Sequence, residues 1–149
     1  MSTDVGPRVS EVAPQEAWEK LSTSSNAVLV DVRTRAEWGY VGVPDISEFG
    51  QEAILVEWAS FPDMSVNPLF LDQLVEELDS AVPSEIFFLC RSGARSMKAA
   101  HAVAEAFAAK GKPVSCINVA EGFEGDLDPQ KHRGGLNGWK ARGLPWRQS

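Results

Sequence analysis

The chain has 149 residues, 44% of them apolar and 23% charged, which is one domain's worth with enough apolar side chains for a core. Fourteen basic against twenty-one acidic residues give a net charge of −7, which argues against a nucleic-acid binder, since those usually show a basic face. Two cysteines are too few for a disulfide scaffold, no basic-then-apolar leader opens the chain, and no apolar run approaches ~18 residues, so a cytoplasmic, reduced protein with no membrane partner is expected.

Residues 1–9 are polar and are expected to be loose. Pro14 suits the first position of a helix over Gln15–Leu21, with Ala17, Trp18 and Leu21 as its apolar side. Ala27 to Val32 is apolar except for Asp31 and predicts a buried strand. Thr34 and Glu37 have the spacing of a capping box, which makes Glu37 a structural cap rather than a catalytic acid. Gly39–Pro44 predicts a loop and Ile54–Trp58 a further strand. Asn67-Pro68 predicts a helix start, followed by an apolar stripe of Leu71, Leu74, Val75 and Leu78.

Glu85 to Cys90 is the next buried strand, and a helix over Ser96–Lys110 follows, closed by Gly111. Between them lies Cys90-Arg91-Ser92-Gly93-Ala94-Arg95-Ser96. A cysteine after an apolar strand is often mere packing. Two guanidiniums and a glycine in the next five residues argue for a reactive thiol instead. The loop after a parallel strand is where open α/β sheets place ligands, and the helix N-terminus favours negative charge there. A thiolate is therefore expected at Cys90. Arg91 and Arg95 make a local positive spot on an acidic chain, suited to a small anionic substrate.

Val114–Val119 predicts the last strand, and Cys116, with no loop or basic neighbour, is expected to pack in the core. Residues 121–135 are rich in Gly and Asp and predict a surface loop. Neither His101 nor His132 has the company of a base or a metal ligand. Leu136–Leu144 predicts a short helix, with Trp139 and Trp146 anchoring the chain end. Alternating strands and helices imply one α/β domain, residues 10–147, with a central parallel sheet of about five strands covered by helices on both faces.

These segments resemble the single-domain rhodaneses, sulfurtransferases of the thiosulfate type. The loop Cys90 to Ser96 is similar to the family's Cys-Arg-x-Gly-x-Arg-Ser active-site loop. Leu29-Val30-Asp31-Val32-Arg33 with Glu37-Trp38, Asn118 to Gly122, and Gly134-Gly135 with Trp139 resemble its other segments. Two features depart from the pattern. Gly42-Val43-Pro44-Asp45 lacks the family's His, and Phe123–Arg133 looks like an insertion between the two halves of the family's ending motif, with the residues leaving open whether it folds over the active-site mouth.

The resemblance implies that Cys90 takes sulfur from a donor such as thiosulfate and passes it from a persulfide to cyanide or another thiophile, without a metal or organic cofactor. Arg91, Ser92, Gly93, Ala94, Arg95 and Ser96 form the substrate-binding loop in this reading. Arg95 either binds the donor or turns inward to hold the loop. Asp31 and Arg33 are supporting groups, for which a structural ion pair competes with a substrate contact. The alternatives are a persulfide carrier serving a protein acceptor, a cysteine phosphatase or arsenate reductase, and a non-catalytic binding module. The four residues between Cys90 and Arg95, one fewer than in the phosphatase loop, tighten the cradle toward a single sulfur atom.

Overall fold

A computed structural model describes residues 7–79 and 81–148. The elements, in chain order, begin with β1 (Arg8–Val12), α1 (Pro14–Thr23), β2 (Ala27–Asp31) and α2 (Arg35–Tyr40). Three short pieces, β3 (Val43–Pro44), β4 (Ile54–Leu55) and the hairpin β5 (Ala59–Ser60) with β6 (Ser65–Val66), lead to α3 (Phe70–Glu77). Then follow β7 (Glu85–Leu89), α4 (Ala94–Ala109), β8 (Ser115–Val119) and β9 (Trp146–Arg147). Five strands form one sheet in the order β1-β8-β7-β2-β4, with every pairing parallel.

The period of two in the central strands feeds two cores. Ile86, Phe88 and Cys90 face one side, where Phe70, Leu74 and Leu78 and the α4 residues Ala100, Val103 and Phe107 cover them. Phe87 and Leu89 face the other side and meet Ala17 and Leu21 of α1, with Phe123 and Trp139 from the last third of the chain. The expected α/β sheet of five parallel strands with helices on both faces is therefore present. Among the described residues no helix is long and apolar enough to cross a membrane.

Several local expectations are corrected. Arg8 and Val9, counted with the loose segment, belong to β1, while residues 1–6 of that segment lie outside the described residues. Only Ile54 and Leu55 of the expected 54–58 strand pair with β2. Asn67 does not cap a helix directly. Its Oδ1 accepts from the Leu69 N–H (3.0 Å), so Asn67-Pro68 makes a turn and α3 begins at Phe70. The buried stripe is consequently Phe70, Leu74 and Leu78, and Leu71 and Val75 are exposed.

The helix expected at Leu136–Leu144 is a series of turns. Gly138 has φ +99°, and a Cβ there would lie 2.6 Å from the Gly125 N, so the backbone is held against a neighbouring loop at this point and coils only into short turns over 138–143. The Trp139 N–H accordingly donates to the Gly122 carbonyl (2.8 Å). Trp139 itself is fully buried, and its indole N–H donates to the Pro145 carbonyl (2.7 Å), so it does anchor the chain end.

Candidate active site

Strand register assembles the site. Asp31 pairs with Leu89, so β2 and β7 end side by side and Val32 donates its N–H to the Leu89 carbonyl (2.8 Å). Phe88 pairs with Asn118, and Asn118 pairs with Glu11 across β8 and β1. Asn118 and Glu11 are thereby delivered next to the residue that follows Leu89, which is Cys90.

Cys90 is 1% exposed and its thiol is free. Two donors reach its Sγ: the Gly93 N–H (3.1 Å) and the Ser96 hydroxyl (3.2 Å). Both come from the start of α4, which begins at Ala94, two residues earlier than expected. That start places the loop's final residues in the first helical turn, whose N–H groups lack carbonyl partners within the helix. Gly93 has φ +113°, and a Cβ there would meet only ordinary contacts, at 3.7 Å. The glycine is required by backbone conformation rather than by crowding.

Ser96 is fully buried, and its hydroxyl also lies within hydrogen-bonding reach of Asn118 Oδ1 and the Gly93 carbonyl. One proton cannot serve all three acceptors. The Asn118 amide is oriented by its Nδ2, which donates to Glu11 Oε2 (2.8 Å). A chain of groups thus runs from Glu11 through Asn118 and Ser96 to the Cys90 sulfur.

Arg95 turns toward the fold. Its Nη1 and Nη2 donate to the two carboxylate oxygens of Glu37 (2.8 and 2.9 Å), and Glu37 also closes the expected capping box with Thr34. Burial pushes the Glu37 carboxyl up, but the hydrogen bonds from Arg95 and Thr34 outweigh burial and hold it at about 2. Burial likewise lowers the Arg95 value, and the Glu37 carboxylate more than reverses that, leaving it raised. Arg91, by contrast, is exposed, and its guanidinium makes no ion pair among the described residues.

Asp31 and Arg33 form a fully buried pair, with Arg33 Nη2 2.6 Å from Asp31 Oδ2. Arg33 also donates to the Gly42 carbonyl (2.7 Å) and lies over the Phe123 ring at 4.2 Å. This pair fastens the end of β2 to the loop that lacks the family's His. Cys116 is fully buried, and burial pushes its thiol up to about 12, as suits a packed and unreactive side chain.

The segment Phe123–Arg133 is stitched to the active-site loop. The Phe123 N–H donates to the Cys90 carbonyl (2.7 Å), and the N–H groups of Glu124 and Gly125 both donate to the Arg91 carbonyl (3.0 and 3.2 Å). Phe123 is fully buried core. Asp128 serves the turn beyond it, accepting from the backbone of Gln130 and His132. Glu124 and Arg133 line a cavity of about 410 Å³ together with Arg91, Arg95, Phe61 and Met64. Glu11, Asn118, Phe61 and Arg133 were not singled out from the sequence as site residues. Asn118 and Arg133 stood only as ends of segments compared with the family, and the placement of all four depends on sheet register and loop packing.

A parallel sheet with a Cys-Arg-x-Gly-x-Arg-Ser loop at its carboxyl edge defines the rhodanese architecture. The Rhodanese-like domain model matches residues 13–142, and the chain belongs to that sulfurtransferase-type family. It is similar to the Mycobacterium tuberculosis protein Rv0390, whose crystal structure shares 46% sequence identity and a TM-score of 0.81 over 95% of this chain and 99% of that one. A rhodanese-like domain protein of Staphylococcus aureus, 21% identical with a TM-score of 0.50, covers 94% of this chain and 98% of its own, a likeness of fold. Uncharacterized proteins of Rickettsia conorii (RC0915) and Rickettsia prowazekii (RP600) are 34% and 33% identical over 138 residues, 93% of this chain and 97% of each relative.

Proposed function

We propose that this chain moves the sulfane sulfur of thiosulfate, or of a similar donor, to a thiophilic acceptor such as cyanide through a persulfide on Cys90. The observation that carries the reading is the seat of the Cys90 Sγ, beyond the end of β7 and at the N-terminus of α4, with the Gly93 N–H and Ser96 hydroxyl directed at it. These donors favour negative charge on sulfur in the thiolate and again in the persulfide.

In the first half-reaction the Cys90 thiolate attacks the outer sulfur of thiosulfate. The new S–S bond forms as the old one breaks, and its electron pair leaves on sulfite. The unpaired Arg91 guanidinium receives the sulfonate end of the donor. In the second half-reaction cyanide, or an acceptor thiolate on a small molecule or protein, takes the outer sulfur and returns the electron pair to Cys90. Arg95, committed to Glu37, holds the loop. The loop of four residues between Cys90 and Arg95, one fewer than in the phosphatase loop, supports transfer of one sulfur atom over a phosphatase-type reaction. A cytoplasmic, reducing setting keeps such a thiol available.

The test is steady-state thiocyanate formation from thiosulfate and cyanide. Parallel double-reciprocal lines and complete loss of activity in a folded Cys90→Ser variant are expected. Turnover that survives this substitution would refute the reading.

A further inference from the structure

Resting on that reading, we propose that Arg133 is a specificity-determining residue, and that the cavity it lines with Arg91 and Arg95 of the Cys90 loop selects an organic sulfur donor with an anionic head and an apolar body over inorganic thiosulfate. The cavity beside the Cys90 loop has two unlike walls. One carries Arg91 and Arg133, with Arg95 neutralised by Glu37 and with Glu124 as the opposing charge. The other carries Phe61, 59% exposed, and Met64, 38% exposed, from the β5–β6 hairpin.

Thiosulfate offers nothing to the second wall. An inorganic ion held by the guanidiniums leaves Phe61 and Met64 uncovered. A thiosulfonate with an apolar group matches both walls, its sulfonyl oxygens toward the guanidiniums and its carbon body on Phe61 and Met64. Transfer then joins the Cys90 Sγ to the donor's terminal sulfur while the bond between that sulfur and the sulfonyl group breaks, and the electron pair leaves on the sulfinate.

Arg133 is placed for this role by backbone. Its Nη1 donates to the Gly125 carbonyl (2.7 Å), and Gly125 donates to the Arg91 carbonyl, so the two guanidiniums share one scaffold. The remaining Arg133 donors are not used in any hydrogen bond among the described residues, which leaves charge and hydrogen-bonding capacity at the cavity wall.

The experiment compares thiosulfate and benzenethiosulfonate as donors by kcat/KM and by the mass of the protein after each donor alone. The wild type is expected to favour benzenethiosulfonate by about fivefold, the scale of one aromatic contact. Arg133→Gln is expected to raise its KM about tenfold while kcat changes less than twofold, Arg133→Lys to restore part of the loss, and Phe61→Ala to shrink the preference between donors. Alkylation of Cys90 by neutral iodoacetamide should stay at the wild-type rate in Arg133→Gln, which a collapse of the loop would not allow. If thiosulfate loads Cys90 but no donor preference exists, or Arg133→Gln leaves KM unchanged, this inference fails alone. If neither donor adds sulfur to Cys90, the sulfurtransferase reading fails with it.

Discussion

Arg95 and Glu37, 58 residues apart in the chain, are joined by two parallel hydrogen bonds of 2.8 and 2.9 Å. The pair ties the active-site loop to the N-terminus of α2, because the same carboxylate accepts the Thr34 N–H. Its folded-state value of about 2 lies below the ordinary 4.5, so the pair stabilises the fold above about pH 4.5 and that contribution is lost as pH falls toward 2. Glu37→Gln should lower stability at pH 7 by roughly 1–3 kcal/mol and flatten the pH dependence between 4.5 and 2. Urea unfolding of both proteins across that range checks it, and identical slopes would contradict it.

Gly122 is where the last third of the chain crosses the active-site loop. It has φ +68°, and a Cβ there would lie 2.5 Å from the Cys90 carbonyl oxygen and from the Arg91 carbonyl group. All of these are backbone atoms, which cannot swing aside. Gly122→Ala should cost at least about 2 kcal/mol, with sulfur transfer falling in parallel because Cys90 and Arg91 must move. Gly111→Ala provides the contrast: φ is also positive, at +70°, but the space is open, so only the conformational cost of about 1–2 kcal/mol applies. Denaturation midpoints for the two variants settle the comparison.

Ser96 is one of two donors at the Cys90 sulfur, and a hydrogen bond to a charged group contributes about 1.5–3 kcal/mol. Ser96→Ala should therefore lower kcat by roughly ten- to a hundredfold in a folded protein. Asn118→Leu removes the acceptor that competes with the Cys90 sulfur for the Ser96 proton and leaves the exposed Glu11 carboxylate to water, so kcat is expected to change less than in Ser96→Ala, with little change in KM. Single-turnover rates of persulfide formation separate these effects from binding.

Arg91→Ala should raise KM for thiosulfate more than it lowers kcat, since an exposed and unpaired guanidinium contributes mainly uniform binding. Steady-state kinetics over a range of salt give a second check, because the wild-type KM should rise with ionic strength more steeply than that of the variant. An unchanged KM would move the anion site elsewhere.

The parts of the fold that were legible are those where one physical demand dominates. β2, β7 and β8 are buried on both faces and so read as apolar runs, and the Thr34–Glu37 cap is local chemistry between neighbours. β1 was missed because an edge strand with Ser10 and Glu11 exposed carries no such run. The α3 stripe was right at Leu74 and Leu78 but took Leu71 and Val75 in place of Phe70, because Asn67-Pro68 looked like a cap, whereas the Asn67 side chain closes a turn ahead of the helix. At the site, Cys90 and its loop were visible as a motif. The direction of Arg95 was not, because its partner comes from α2. Nor was the placement of Arg133, which depends on backbone hydrogen bonds between segments more than thirty residues apart.

The most direct measurement is the intact mass of the reduced, folded protein after thiosulfate and again after cyanide. The account predicts a gain of one sulfur atom, mapped to Cys90 and not to Cys116, then its loss with release of thiocyanate. Cys116→Ser should behave as the wild type throughout, because that thiol is buried and held at about 12. No adduct in a folded protein with a free Cys90 thiol, or an adduct on Cys116, would contradict the account.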